Sequence, residues 1–166
     1  SPDIYDFLIV VNIVNNINSA FVSIDKDNTC YYSLTDNRRH YFFNPKNNIS
    51  VNQGDSILVQ VKKDAVKTKP ASLSSDIVIS GYYVVLSTDV EGVLVSKKIH
   101  DSEQIIQLRH KLLDLLKEKY DDNPDIPDKH NISPGFIIRT NACNLSSVED
   151  GVIEAEQLLN SFITIL

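Results

Sequence analysis

The stretch Gly54–Leu86, GDSILVQVKKDAVKTKPASLSSDIVISGYYVVL, decides how the chain is read. It opens on an apolar run, Ser56 to Val61, passes through a lysine-rich segment, and closes on a second apolar run, Asp76 to Leu86. β-Branched residues dominate both runs, so each is predicted as a strand. Between them Lys62, Lys63, Lys67 and Lys69 crowd a short loop that only Asp64 relieves. The whole chain carries a formal net charge of −6, so this local positive excess needs a reason. A basic loop between two strands of a small barrel suits a nucleic-acid backbone, because each lysine pairs with a phosphate and releases a condensed counterion. A solvated loop whose charges serve solubility is the alternative reading.

Upstream, Tyr5 to Val14, Ser19 to Ile24 and Cys30 to Leu34 read as three further strands, separated by turn chemistry at residues 15–18 and 25–28. Thr35 to Gln53 is polar and rich in Asn and Arg, a long loop with or without a short helix in it. Five short strands with an irregular segment between the third and fourth is the pattern of an OB-type barrel. Downstream the period changes. Val93 to Ile99 reads as a strand, and Asp101 to Lys119 as a helix with Ile105, Leu108, Leu112, Leu115 and Leu116 on one face. Asp101 or Ser102 can cap its start. Tyr120 to Pro134 is a loop, Phe136 to Thr140 a strand bounded by Gly135, and Ser146 or Ser147 begins a last helix. Val152, Ala155, Leu158 and Leu159 form that helix's expected inner stripe. The fold class expected is α+β.

At 166 residues the chain is long enough for one domain or two small ones. Its 42% hydrophobic and 23% charged residues are those of a soluble globular protein. Its acidity argues against indiscriminate coating of nucleic acid or anionic membrane, so any such binding must come from a local patch. No apolar run approaches the ~20 residues of a membrane helix, and no signal peptide opens the chain, so a cytoplasmic location without membrane contact is expected. Cys30 and Cys143 form no C-x-x-C pair and read as two free, buried or half-buried thiols. The chain begins at Ser1 and contains no methionine, which implies a segment of a longer protein.

Other candidate chemistry is sparse. His40, His100, His110 and His130 are scattered, and His110 between Arg109 and Lys111 reads as solvated. Asp121, Asp122, Asp125 and Asp128 lack the geometry of a calcium loop, so they read as a solvated acidic loop. Arg38-Arg39-His40 either extends a basic barrel face or is simply polar loop. No phosphate-binding glycine loop, nucleophile elbow or H-E-x-x-H occurs, so nucleotide, serine and zinc hydrolysis are not expected.

Several segments, in order, resemble the amino-terminal region of the ribonuclease E/G family. SAFVSI (19–24) is similar to the family's "AAFVD" strand, and Gly54–Leu86 to its "G-x-x-V-x-V-Q-v-x-K…i-s-l-a-G-r-y-l-V-L". VSKKI (95–99) resembles "ISRRI", and GFIIRTNACNLSSVED (135–150) resembles "G-l-I-V-R-T-A…s-x-e-e-l". The resemblance implies an S1/OB-type RNA-binding barrel over residues 4–81 and a fragment of a ribonuclease-H-like α/β subdomain over 82–166. It implies that Arg139 and Thr140 hold the 5′-monophosphate of an RNA end, with Gly81 and Val85 completing the pocket. It implies that Phe21 and Tyr31 contact RNA on the barrel face and that Lys69 is a basic loop contact; Lys63 and Lys67 join it as RNA-binding candidates. An arginine fork, a threonine hydroxyl and a close-approaching glycine backbone suit a terminal phosphate. Read without the resemblance, Arg139 is a strand-end arginine pairing with an aspartate.

The chain also departs from the family pattern. The first strand, YDFLIVVNI (5–13), has no basic residue and no glycine, and Pro70 replaces a frequent glycine. The family's catalytic aspartates and asparagine, which hold Mg²⁺, and its C-P-x-C lie in later subdomains and have no counterpart in this sequence. The expectation is therefore an RNA-binding, 5′-monophosphate-sensing segment of a ribonuclease E/G-type endoribonuclease. Its partner is single-stranded RNA, it takes no cofactor of its own, and Mg²⁺ belongs to the missing catalytic domain. Homo-oligomerisation of the full-length protein stays open. The rivals are a stand-alone RNA-binding or regulatory protein without nuclease activity and an OB-type protein-interaction domain using the apolar first strand.

Overall fold

The structure is a computed structural model that describes residues 4–14 (by their backbone), 18–23, 28–37, 39–42, 50–126 and 132–165. The chain divides between Ile77 and Val78 into two units.

Among the described residues the first unit is all β. Its strands are β1 (Ile4–Val14), β2 (Ser19–Ser23), β3 (Thr29–Ser33), β4 (Ser56–Lys63) and β5 (Ser72–Ser74). They pair in the order β1-β2-β3-β5-β4, and β4 pairs back onto β1 to close the barrel. The β3–β5 pair is parallel and the others antiparallel. Register shifts lie between Val10 and Asn12, between Tyr5 and Leu8, and between Val61 and Lys63. Such bulges bend a strand and raise its twist, which is what a sheet of so few strands needs to close.

Alternation along β2, β3 and β5 sorts the two faces, while β4 is buried on both from Ile57 to Val61. Ala20, Val22, Cys30, Tyr32, Ile57, Val59, Val61 and Leu73 point inward and form one core. Phe21 and Tyr31, one step out of phase with those, remain partly exposed. Tyr32 is fully buried, and its hydroxyl lies 2.7 Å from His40 Nδ1. Burial pushes that phenol far above its ordinary range, so it stays neutral and hydrogen-bonded. Asn37 is buried as well; its Oδ1 accepts from Ser75 N at 2.9 Å while its Nδ2 donates to Ser33 O at 2.7 Å. That side chain ties the end of β3 to the segment after β5.

The fifth barrel strand is not where periodicity put it. Asp76 to Leu86 reads as one strand, yet it breaks at Gly81, and from Val78 onward it belongs to the second unit. β6 (Val78–Ser80) and β7 (Val84–Ser87) are its two halves, folded on each other antiparallel. The barrel uses Ser72–Ser74 instead, three residues with a single buried leucine. Consequently the unit boundary falls four residues before the expected one after Gly81.

The second unit joins β6, β7, β8 (Val93–Val95) and β9 (Gly135–Ile138) in the order β6-β7-β9-β8. Only the β8–β9 pair is parallel. The chain leaves β8 through α1 (Glu103–Leu116), whose five expected apolar residues are all buried. Ser102 caps it, accepting from Ile105 N at 3.2 Å. A π-helical turn, Lys117–Asp121, extends α1 and buries Tyr120. The long α2 (Val148–Ile165) buries Gly151, Ala155, Leu158, Leu159 and Phe162, with Gly151 in place of Val152 on the inner stripe. Gly135 must be glycine on spatial grounds. A Cβ there would strike the Val90 carbonyl oxygen and come within 2.7 Å of that of Gly92.

The α+β class therefore holds, with the all-β unit first and both helices in the second. Cys30 is buried, but Cys143 is exposed, because it falls in a 3-10 turn (Thr140–Asn144) that follows β9. No helix of the described residues is long and apolar enough to cross a membrane.

Candidate functional site

Two sites emerge, one in each unit. In the barrel, strand register lines up a row of side chains across four strands. Phe21 on β2 faces Tyr31 on β3, Tyr31 faces Ser72 on β5, and Lys63 on β4 faces Ser72 from the other side. The Phe21 and Tyr31 rings meet edge to face, with centroids 6.3 Å apart. Ser19 Oγ donates to the Tyr31 hydroxyl at 2.9 Å, which steadies the second ring. Small Ser72 leaves a depression in the row, part of an open cavity of about 590 Å³. Phe21, Tyr31, Lys62, Lys63 and Lys69 all line it, and so do the carboxylates Asp36 and Asp64.

Local turn chemistry decides which lysines reach this groove. Val66 and Lys69 pair across a tight turn, Lys69 N donating to Val66 O at 2.8 Å and Val66 N to Lys69 O at 3.1 Å. Lys67 takes the first corner with φ of 49°, a left-handed conformation that a lysine adopts only at some cost. The turn folds Lys69 back along the groove wall. Lys67 is left at the tip, outside the lining. Pro70 holds Lys69 in extended backbone, which fits its pairing with Val66. Lys62, Lys63, Lys67 and Lys69 are all exposed. Arg39 is exposed and His40 is half-buried against Tyr32; Arg38 lies outside the described residues.

In the second unit, Arg139 and the turn Gly81–Val84 come together although about sixty positions separate them. The Arg139 backbone N–H donates to Tyr83 O at 2.8 Å, and its Nη1 donates to Gly81 O at 2.7 Å. Asn141 Nδ2 donates to Tyr82 O at 3.0 Å. Gly81 N–H closes the turn onto Val84 O at 2.8 Å. The Tyr83 and Val84 amides both donate to Glu154 Oε1 on α2, at 2.7 and 2.9 Å. Nearly every backbone polar group of the turn thus has a protein partner.

Arg139 is exposed, and among the described residues no carboxylate lies within ion-pair distance of it. The strand-end pairing with an aspartate is therefore not what the structure shows. One nitrogen of the fork is held by a neutral carbonyl, and the exposed guanidinium forms no ion pair among the described residues. Thr140, also exposed, opens the 3-10 turn next to it. Val85 sits in β7, paired with Ser80 on one side and Ile137 on the other, so its backbone belongs to the sheet. Gly81 has a local role as well. A Cβ there would overlap the Glu154 carboxylate and come within 2.8 Å of Val84 O.

Sequence reasoning missed Glu154, Asn141 and Asn37. Glu154 had a visible signal: it lies three residues after Gly151 and four before Leu158, on the edge of the apolar stripe. A carboxylate there needs a donor. The remaining histidines stay apart, with His100 and His110 exposed and His130 outside the described residues. Asp121, Asp122 and Asp125 are exposed, and Asp122 pairs with Lys117 at 2.9 Å, a bond that raises the lysine's pKa. Asp128 lies outside the described residues. Among the described residues no cluster of His, Cys, Asp and Glu could hold a metal ion.

No protein-family model matches the chain. It is similar to a "Ribonuclease E/G-like protein" of Porphyra purpurea, 30% identical over 100 residues, 57% of this chain and 19% of that protein. A protein of the same description from Pyropia yezoensis matches equally, again at 30% over 100 residues. "Ribonuclease G" of Escherichia coli strain K12 is 34% identical over 106 residues, covering 64% of this chain and 17% of that protein. The chain thus spans only about a fifth of the length of these curated relatives.

Proposed function

The chain carries a region of the ribonuclease E/G family, and on that premise we propose that it is the RNA-recognition segment of a protein of that kind. Its first unit is read as an S1/OB-type barrel, a reading supported by the closed strand order β1-β2-β3-β5-β4. The second unit is read as part of a ribonuclease-H-like subdomain, on the resemblance of its sequence. Single-stranded RNA is the proposed ligand. The observation that carries this is the groove in which Phe21 and Tyr31 stand beside Lys62, Lys63 and Lys69. Aromatic faces accept bases of any identity, and the lysines follow the backbone. Asp36 and Asp64 on the same lining would confine the strand to the lysine side.

The 5′ end is assigned to Arg139 and Thr140, with the Gly81–Val85 segment as the floor of the pocket. An exposed guanidinium that is already oriented, and not neutralised by a neighbour, is suited to a terminal phosphate, and the Thr140 hydroxyl adds a donor. Cleavage by the whole protein is proposed as Mg²⁺-assisted phosphodiester hydrolysis performed by residues outside this chain. A cytoplasmic setting suits an RNA partner and two free thiols.

The test is a paired binding measurement with one oligonucleotide carrying either a 5′-monophosphate or a 5′-hydroxyl. The phosphorylated form should bind about tenfold or more tightly, the range of one or two charge-assisted hydrogen bonds. Arg139→Ala should erase the difference. Equal affinity for both ends in the unmodified chain would remove the 5′ assignment, and leave the groove to be judged by its own mutants.

A further inference from the structure

We propose that Glu154 is the positioning residue of the Arg139 site, acting as a carboxylate clamp that holds the Gly81–Val84 turn so that its carbonyls can aim the arginine. This builds on the assignment of Arg139 to a terminal phosphate. It adds a residue that touches neither the phosphate nor Arg139 directly.

The geometry is a short relay. Glu154 Oε1 accepts from the adjacent amides of Tyr83 and Val84 at 2.7 and 2.9 Å. A single carboxylate oxygen bridging two successive amides fixes the peptide plane between them, and charge makes each bond roughly twice as strong as its neutral equivalent. On the opposite side of the same turn, Tyr83 O accepts from the Arg139 backbone and Gly81 O from Arg139 Nη1. The turn is therefore gripped from α2 on one side and from the end of β9 on the other. Release of the α2 grip frees two amides and loosens the carbonyl that orients the guanidinium.

Gly81 completes the device. A Cβ there would push the Glu154 carboxylate off the turn and come within 2.8 Å of the Val84 backbone oxygen. The glycine thus leaves room for a carboxylate that reaches it from 73 residues further along the chain. Asn141, donating to Tyr82 O, locks the remaining carbonyl of the turn. What is left facing solvent is the uncommitted part of the Arg139 fork.

The test compares Glu154→Gln and Glu154→Ala in the whole 166-residue chain, with two readouts. In amide hydrogen exchange followed by ¹H–¹⁵N spectra, the Tyr83 and Val84 amides should be protected in the unmodified chain and should exchange together about tenfold faster in Glu154→Ala. Glu154→Gln, which keeps an oxygen acceptor at that position, should retain most of the protection. The ratio of affinities for 5′-monophosphate over 5′-hydroxyl oligonucleotide should fall about tenfold in Glu154→Ala and less in Glu154→Gln. Unchanged exchange of both amides in Glu154→Ala would overturn the clamp, whatever the binding results. A wild-type ratio in Glu154→Ala, or an equal loss for both oligonucleotides, would overturn its role in positioning. Should the unmodified chain show no preference for the phosphate, the 5′ reading falls while amide exchange still decides whether Glu154 holds the turn.

Discussion

The barrel groove and the Arg139 turn both present positive charge, but they are built on opposite plans. In the groove, Lys62, Lys63 and Lys69 are exposed side chains on flexible stems along one wall, and specificity of shape comes from the two aromatic rings. At the turn, a single arginine is anchored by its own backbone and by Gly81 O, on a loop whose groups are tied to Glu154 and Asn141. Long lysines adapt to any strand of phosphates and act mainly through counterion release. A pre-oriented fork suits one phosphate in one place and loses little entropy on binding it. Binding strength and end recognition are thereby separable, and mutations should divide along that line.

The largest effect should come from removing the groove's lysines together. With Lys62, Lys63 and Lys69 each neutralising a phosphate, the log–log salt slope for single-stranded RNA should be about −2, so a fourfold rise in salt weakens binding about 20-fold. In the chain with all three changed to alanine, affinity measured by anisotropy across a salt series should have almost no such slope. A slope that persists would move the electrostatics to another surface, Arg39 and its neighbours first.

Next in size are the rings. Phe21→Ala and Tyr31→Ala should each weaken binding by about 1–3 kcal/mol without altering the salt slope. Because the rings touch, the double mutant should lose less than the sum of the two. Neither change should affect the 5′-phosphate preference; if Phe21→Ala abolished it, the two sites would be one.

The smallest effect separates two lysines that look alike in the sequence. Lys69 lines the groove and Lys67 does not. Lys69→Ala should lower the salt slope by about 0.7, and Lys67→Ala by clearly less. Equal slopes would mean that the turn at Val66–Lys69 opens when RNA binds.

Much of this architecture was legible from local pattern. Ala20 and Val22 against Phe21 and Ser23 announce a two-residue period, and Ile105, Leu108, Leu112 and Leu115 a helical one. The Ser102 cap and the strand nature of Ser56–Lys63 follow from equally local rules. What stayed hidden was short or long-range. Ser-Leu-Ser at 72–74 carries too little signal to be seen as a strand, because its place is set by Tyr31, Tyr32 and Val61 already waiting on either side. The long run Asp76–Leu86 reads as the strand instead, though Gly81 inside it marks a turn.

The site divides in the same way. The residue types, their strands and the lysine excess were properties of the chain alone, since hydrophobic period and charge act over a few neighbours. Tertiary structure decided that Lys69 rather than Lys67 turns into the groove, and that Phe21, Tyr31, Ser72 and Lys63 fall in one row. It also decided that Glu154 and Asn141 meet the Gly81–Val84 turn from far along the chain. The reason is physical: buried or half-buried backbone groups must find partners, and no local rule says which distant side chain will satisfy them.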